Sequence, residues 1–206
     1  MISTRHRFIY IHIPKTGGNS IQAVLQRFSD DRKALNATQD GIDRFNITGS
    51  VTKNKHDPLA HYHAAVSDLG AYFIFFSARH PFDRAVSAYF SPSNWVRRNP
   101  DGTLEIEDPY WSFDAFLSFV GRITPAVDYI RVDGQIYPTD DRIRYESFAG
   151  DFERIIRILD ISDAAPLGHV NRTADRQGRI PTILRDRSLR RVIEEKFSED
   201  MNYLGY

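Results

Sequence analysis

The stretch FIYIHIPKTGGNSIQAVL, Phe8 to Leu25, decides how this chain is read. Phe8, Ile9, Tyr10, Ile11 and Ile13 form a short apolar, β-branched run, the pattern of a parallel strand covered on both faces. Pro14-Lys15-Thr16-Gly17-Gly18-Asn19-Ser20 follows, and then Ile21, Val24, Leu25 and Phe28 recur at helical spacing. Strand, glycine turn and helix thus succeed one another in one short segment. Adjacent glycines let the backbone come close to an anion, and the first turn of the helix aims its N–H groups at the same place. Lys15 adds a mobile positive charge. The corner predicts a cradle for a phosphate or sulfate group; read as structure alone, it is a tight turn with a solvated lysine. It departs from the nucleotide-triphosphate loop, in which Lys-Ser/Thr follows the second glycine, because Lys15 precedes both glycines here.

Working outward, a second corner of the same build lies in AYFIFFSARHPFDRAVSAYF, Ala71 to Phe90. Tyr72 to Phe76 reads as another buried strand, ending in Ser77-Ala78-Arg79-His80-Pro81. Ala85, Val86 and Tyr89 then mark a helix, with Pro81 suited to its start. Arg79 therefore falls at the C-terminal end of a strand, where open α/β sheets bind ligands, and Ser87 falls on the helix that follows. The pair Lys15-Thr16-Gly17-Gly18 and Arg79-x-Pro81-x-x-Arg84-x-x-Ser87-x-Tyr89 resembles the superfamily of sulfotransferases that use 3′-phosphoadenylyl sulfate (PAPS), in particular its carbohydrate-type branch. The resemblance implies a P-loop-NTPase-like sulfotransferase fold with PAPS as co-substrate and no metal. It gives the 5′-phosphosulfate to Lys15, Thr16, Gly17, Gly18, Asn19 and Ser20, and the 3′-phosphate to Arg79 and Ser87.

Composition bounds the rest. At 206 residues, 41% of them apolar and 13% aromatic, the chain has enough material for one core. The expectation is a single α/β domain over residues 1–206, with a mainly parallel central sheet flanked by helices. Lysine plus arginine balances aspartate plus glutamate at 27 each, which argues against a general nucleic-acid or membrane-surface binder. There is no cysteine, so neither disulfides nor a thiolate metal site enters the reading. The first apolar run is strand-length and already assigned to the cradle, which leads to the expectation of a cytoplasmic enzyme; against a family branch with many membrane-anchored members, the resemblance implies a bacterial-type stand-alone domain.

Sulfuryl transfer to a hydroxyl needs a group to take the hydroxyl proton, and histidine has the suitable basicity. His56, His61 and His63 arrive together, just after Lys53 and Lys55. No cysteine or paired carboxylate completes a metal-ligand set around them. Lys55-His56-x-Pro58-Leu59-x-x-Tyr62 resembles the family element that carries the general base, which places that role on His56. His61 and His63 compete for it, while Leu59, His63 and Val66 follow helical spacing and suit a helix surface.

Between Ser91 and Asp108 the sequence is irregular, with Trp95, Arg97 and Arg98. Two readings stand side by side. In one, Trp95, Tyr110 and Trp111 stack on a sugar and the arginines meet its carboxylate or sulfate; in the other, this is a surface loop with aromatic anchors. A helix is expected over Trp111–Val120, a strand at Asp141–Glu146 and a helix over Ser147–Leu159. A family-like turn, Leu167 to Thr173, precedes a last helix over Ser188–Gly205. The function expected is transfer of a sulfuryl group from PAPS to an acceptor hydroxyl of a carbohydrate, with His56 as base and Lys15 stabilising the leaving phosphate. Two other classes fit parts of the pattern: a nucleotide-dependent kinase, and a non-catalytic carbohydrate- or nucleotide-binding module. A kinase has no need of the Arg79–Ser87 corner, and a binding module has no need of His56.

Overall fold

The structure is a computed structural model that describes residues 1–35, 45–168 and 178–206. The chain is mixed α/β and divides into two compact units. Among the described residues, the first comprises 1–35, 45–79 and 126–168, and the second comprises 80–125 and 178–206.

The first unit is built on a four-stranded sheet in the order Ile2–Ser3, Phe8–Ile11, Phe73–Ala78, Asp141–Arg144. The two strands that lead into the motifs pair: Phe8–Ile11 runs parallel to Phe73–Ala78, with Phe8 opposite Phe73 and Ile11 opposite Phe76. Asp141–Arg144 adds a second parallel partner on the other side of Phe73–Ala78, and Ile2–Ser3 closes the first edge antiparallel. Phe8, Ile9, Tyr10 and Ile11 are all fully buried, which is why the run shows no polar alternation. Side chains two apart share a face, so Phe8 and Tyr10 join Phe75 and Ile143 in one cluster. Ile21, Val24 and Leu25 from the helix Gly18–Leu25 close that cluster, together with Phe152 and Ile155 from the helix Phe148–Ile158. Burial of this kind is worth about 25 cal/mol per Å² of apolar surface. It fixes the C-terminal ends of the two inner strands, and both anion-type motifs begin there.

Beside the sheet, Phe45–Thr48 forms a strand that pairs antiparallel with Arg32–Leu35. Leu59–Ala65 is helical, as the spacing of Leu59 and His63 predicts.

In the second unit the helix Pro81–Tyr89 carries Phe82, Ala85, Val86 and Tyr89 into a core shared with Phe116, Val120, Ile183, Leu189, Ile193 and Phe197. Ser112 caps Phe113–Val120 by accepting from the Ala115 N–H at 3.1 Å, so that helix starts two residues later than expected. Two expectations are corrected here. The last helix is two, Arg187–Lys196 and Ser198–Leu204, broken at Phe197, whose backbone turns aside while its ring enters the core. Glu199 and Asp200 in the first turn of the second helix favour a fresh N-terminus at that point. The segment expected to be irregular holds a β-hairpin, Val96–Arg98 with Leu104–Ile106. The turn expected at Leu167–Thr173 lies outside the described residues from His169 onward. Among the described residues no helix is long and apolar enough to cross a membrane.

Candidate active site

At the end of Phe8–Ile11 the backbone curls rather than running straight into the helix. Lys15 has φ of 71° and Gly17 has φ of 87°, both left-handed, with Thr16 between them outside that region. Left-handed residues in such a turn can bring N–H groups toward one side, an arrangement suited to an anion. A lysine in this conformation is strained, of order 1–3 kcal/mol, and the surrounding contacts must hold it there. Gly17 caps the helix, and the Ser20 N–H donates back to the Gly17 carbonyl at 3.0 Å. The amides of Gly18 and Asn19 belong to the first turn and have no acceptor within the helix.

The two glycines serve different needs. Gly17 supplies the positive φ and lies against Phe148 and Tyr145, where a Cβ would come within 2.9 Å of the Phe148 ring. Gly18 makes room for His12: a Cβ there would stand 2.1 Å from the imidazole. The sequence reading assigned both to the approach of an anion, yet packing alone already requires the second.

Thr16 is fully buried and its hydroxyl faces inward. It donates to the Ile13 carbonyl at 2.7 Å and stands 2.5 Å from Ser77 Oγ, which is 2.7 Å from the Tyr10 hydroxyl. Burial pushes the Tyr10 phenol well above its ordinary pKa, so it stays a donor. The protons then run one way, Tyr10 to Ser77 to Thr16 to the Ile13 carbonyl, and each hydroxyl has its partner. This relay ties the cradle turn to both inner strands. Thr16 has only its backbone N–H left to offer a ligand.

Arg79 brings the second motif to the first. Its Nη1 reaches the Lys15 carbonyl at 3.5 Å, and its guanidinium lies over the Tyr145 ring, 4.2 Å from the centroid. Its Nε is buried and has no hydrogen-bond partner among the described residues. A buried guanidinium N–H without an acceptor is the kind of orphan that an anionic ligand satisfies. Ser87, the other residue expected there, is buried on Pro81–Tyr89 in the second unit.

His56 belongs to the same unit as the cradle. Its Nδ1 lies 2.9 Å from the His12 carbonyl, and a carbonyl only accepts, so the proton is on Nδ1 and the ring's lone pair is on Nε2. His61 is turned elsewhere: its Nε2 donates to the Val51 carbonyl at 2.8 Å and lies 3.6 Å from Asp57. His63 is exposed on Leu59–Ala65. Of the three histidines, only His56 is tied to the strand that leads into the cradle.

Three residues were given no role by the sequence reading. Lys55 places its Nζ 3.4 Å from Asn19 Oδ1, at the start of the cradle helix. His12 and Gln22 form a buried pair, with His12 Nδ1 2.9 Å from Gln22 Oε1. The available signal was a polar side chain set inside the apolar run Phe8 to Ile13. Burial, with Lys55 and His56 nearby, holds the His12 ring well below its usual pKa and therefore neutral.

In the second unit, Trp95 and Trp111 pack edge-on against Tyr89, 5.3 Å and 5.6 Å between centroids, and Trp95 Nε1 donates to the Tyr89 carbonyl. Arg97 pairs with Glu105 and Glu107. Arg98 donates to the Gly102 carbonyl within the hairpin.

The model of the sulfotransferase family matches residues 1–129, a span that holds the cradle, the His56 loop, Arg79 and the helix after it. No curated protein and no solved structure matches the chain. A family match over more than half the chain, with both anion-type corners inside it, leads to one conclusion: this chain belongs to the sulfotransferase family.

Proposed function

We propose that the chain moves a sulfuryl group from PAPS to a hydroxyl of a carbohydrate acceptor, acting as a single sulfotransferase domain of P-loop-like fold. The observation that carries this reading is that Arg79, which opens the second motif, lies in the same unit as the cradle and reaches it. Arg79 reaches the Lys15 carbonyl and keeps a buried N–H without a partner among the described residues, beside a turn that holds Lys15 and Gly17 at positive φ. A nucleotide bearing phosphate at both its 5′ and 3′ positions fits two such places; a singly phosphorylated one fits half of them. Ser87 enters from its motif alone.

When bound, PAPS supplies an activated sulfuryl group whose leaving group is a phosphate. Lys15 and the amides of Gly18 and Asn19 stabilise the negative charge that grows on the bridging oxygen. Arg79, held flat by Tyr145, binds the 3′-phosphate. Nε2 of His56 takes the proton of the attacking hydroxyl.

Calorimetric titration tests the donor. Adenosine 3′,5′-bisphosphate is expected to bind at least about tenfold more tightly than AMP, since one unmade charged hydrogen bond costs about 1.5–3 kcal/mol. Arg79→Ala should remove most of that preference. Equal affinities in the unaltered chain would overturn the assignment.

A further inference from the structure

Behind the cradle lies a polar pair that the proposed chemistry does not touch. His12 is 4% exposed and Gln22 is fully buried. The Gln22 amide makes two contacts that fix its orientation. Nε2 donates to the Lys55 carbonyl at 3.3 Å, so Oε1 is the atom that accepts from His12 Nδ1 at 2.9 Å. The chain of contacts thus runs from the His12 ring through Gln22 to the backbone just before His56. It closes on itself, because His56 Nδ1 donates to the His12 carbonyl and the two rings lie 4.3 Å apart, centroid to centroid. Gln22 sits in the middle of the helix Gly18–Leu25, so the loop is also locked to the cradle helix.

The site is built for this ring. A Cβ at residue 18 would stand 2.1 Å from the imidazole, so the first residue of the helix must be glycine for His12 to fit. Neither half of the residue suffices alone. A phenyl ring would fill the space but leave Gln22 Oε1 buried without a donor, and a short amide would supply the donor but not the packing against His56.

We propose that His12, with Gln22, is a positioning residue: ring and amide hold the His12 carbonyl and the His56 loop in register, so that this carbonyl keeps His56 in the tautomer with its lone pair on Nε2 and aligned with the cradle. The inference rests on the reading of His56 as the proton acceptor. Histidine free in water favours the other tautomer, with the proton on Nε2, so a base that works through Nε2 gains from being held the opposite way. The groups that act on His12 are His56, Lys55, Gln22, Tyr10 and the Met1 amino group, and the ring itself stays uncharged. It therefore places no positive charge against the proton that His56 takes up.

Nitrogen-15 NMR of the histidine-labelled full chain reads the tautomer without any acceptor. The chain is compared with His12→Phe and Gln22→Met, which break the same link from its two sides. His56 is expected to show one neutral tautomer, protonated on Nδ1. Both variants should lose that single signature, and their transfer rate from labelled PAPS should fall by about tenfold or more, the equivalent of about one hydrogen bond. Affinity for adenosine 3′,5′-bisphosphate should stay within about twofold, a change too small to reflect a lost contact. If His12→Phe does not fold, Gln22→Met carries the test. An unchanged tautomer in the folded variants would overturn the positioning role. So would a parallel fall in tautomer signal, nucleotide affinity and melting temperature, the mark of a general structural defect. A His56→Ala chain with full transfer would overturn the base reading instead, and the two failures are told apart by the tautomer.

Discussion

The cradle corner of the first unit and the hairpin Val96–Ile106 of the second are both polar in sequence, and they hold their polar groups in opposite ways. Around the cradle, Thr16, Ser77, Gln22 and His12 are buried, and each finds a partner in another element or loop. In the hairpin, Arg97 meets Glu105 and Glu107 across adjacent strands, with more than half of its side chain in water. Removing one buried partner leaves the other stranded in a medium that cannot hydrate it. Removing one exposed partner leaves the other to water and salt. Polar residues around the cradle therefore hold the shape of a site, and those of the hairpin decorate a surface.

The largest effect that would sharpen this contrast falls on His56. His56→Ala should lower transfer by about 10²–10⁴-fold, the usual contribution of a general base, with bisphosphate affinity nearly intact. His61→Ala and His63→Ala should retain most of the activity, because one ring is bonded to Val51 and the other is exposed. Labelled-sulfate transfer over a panel of carbohydrate acceptors checks all three, and an inactive His61→Ala would move the base along the loop.

Thr16→Val comes next. It deprives the Ile13 carbonyl of a donor and Ser77 of an acceptor, so unfolding in denaturant should show a loss of about 1–3 kcal/mol, largely restored by Thr16→Ser. A neutral Thr16→Val would break the claim that the relay holds the turn.

A smaller effect is expected from pH. The folded His12 ring has its pKa depressed below the usual 6.5, so the unfolded chain takes up a proton first as the pH falls. The stability that depends on its neutrality is complete above about pH 6.5 and declines below it. The slope from this one group is at most about 1.4 kcal/mol per pH unit. His12→Asn should flatten that part of the profile, measured as the difference in denaturation midpoint between pH 7 and pH 5. An identical slope in the variant would show that the ring charges without cost.

The smallest effect belongs to Arg97→Ala. Its denaturation midpoint should match that of the unaltered chain at ordinary salt, since the pair it breaks is exposed. A clear loss would place the hairpin among the structural parts and blur the contrast.

Much of the fold was legible because its signals are local. Phe8–Ile11 and Phe73–Ala78 read as buried strands because both faces are covered, and a face with no polar alternation is visible in the sequence itself. The helix starts followed from Gly17-Gly18 and from Pro81, residues whose backbone demands hold whatever surrounds them. The hairpin was missed because its strands are three residues long and carry charge on both sides of the turn, a pattern with little periodicity to read. The break at Phe197 was missed because an apolar stripe runs across it without a gap.

The sequence by itself determined the order of strand, turn and helix at each corner, and the presence of a lysine, an arginine and a histidine suited to an anion and a proton. Those are properties of residues and their near neighbours. Only the tertiary structure decided that Gly18 is required by His12, that the Thr16 hydroxyl turns inward to Ser77, and that His56 is held by its Nδ1. The last two are contacts between residues well apart in the chain, and the first joins a strand end to the helix that follows it. Spacing along a sequence carries no record of which distant partner will accept a given hydrogen, because that choice is made by packing once the sheet has formed.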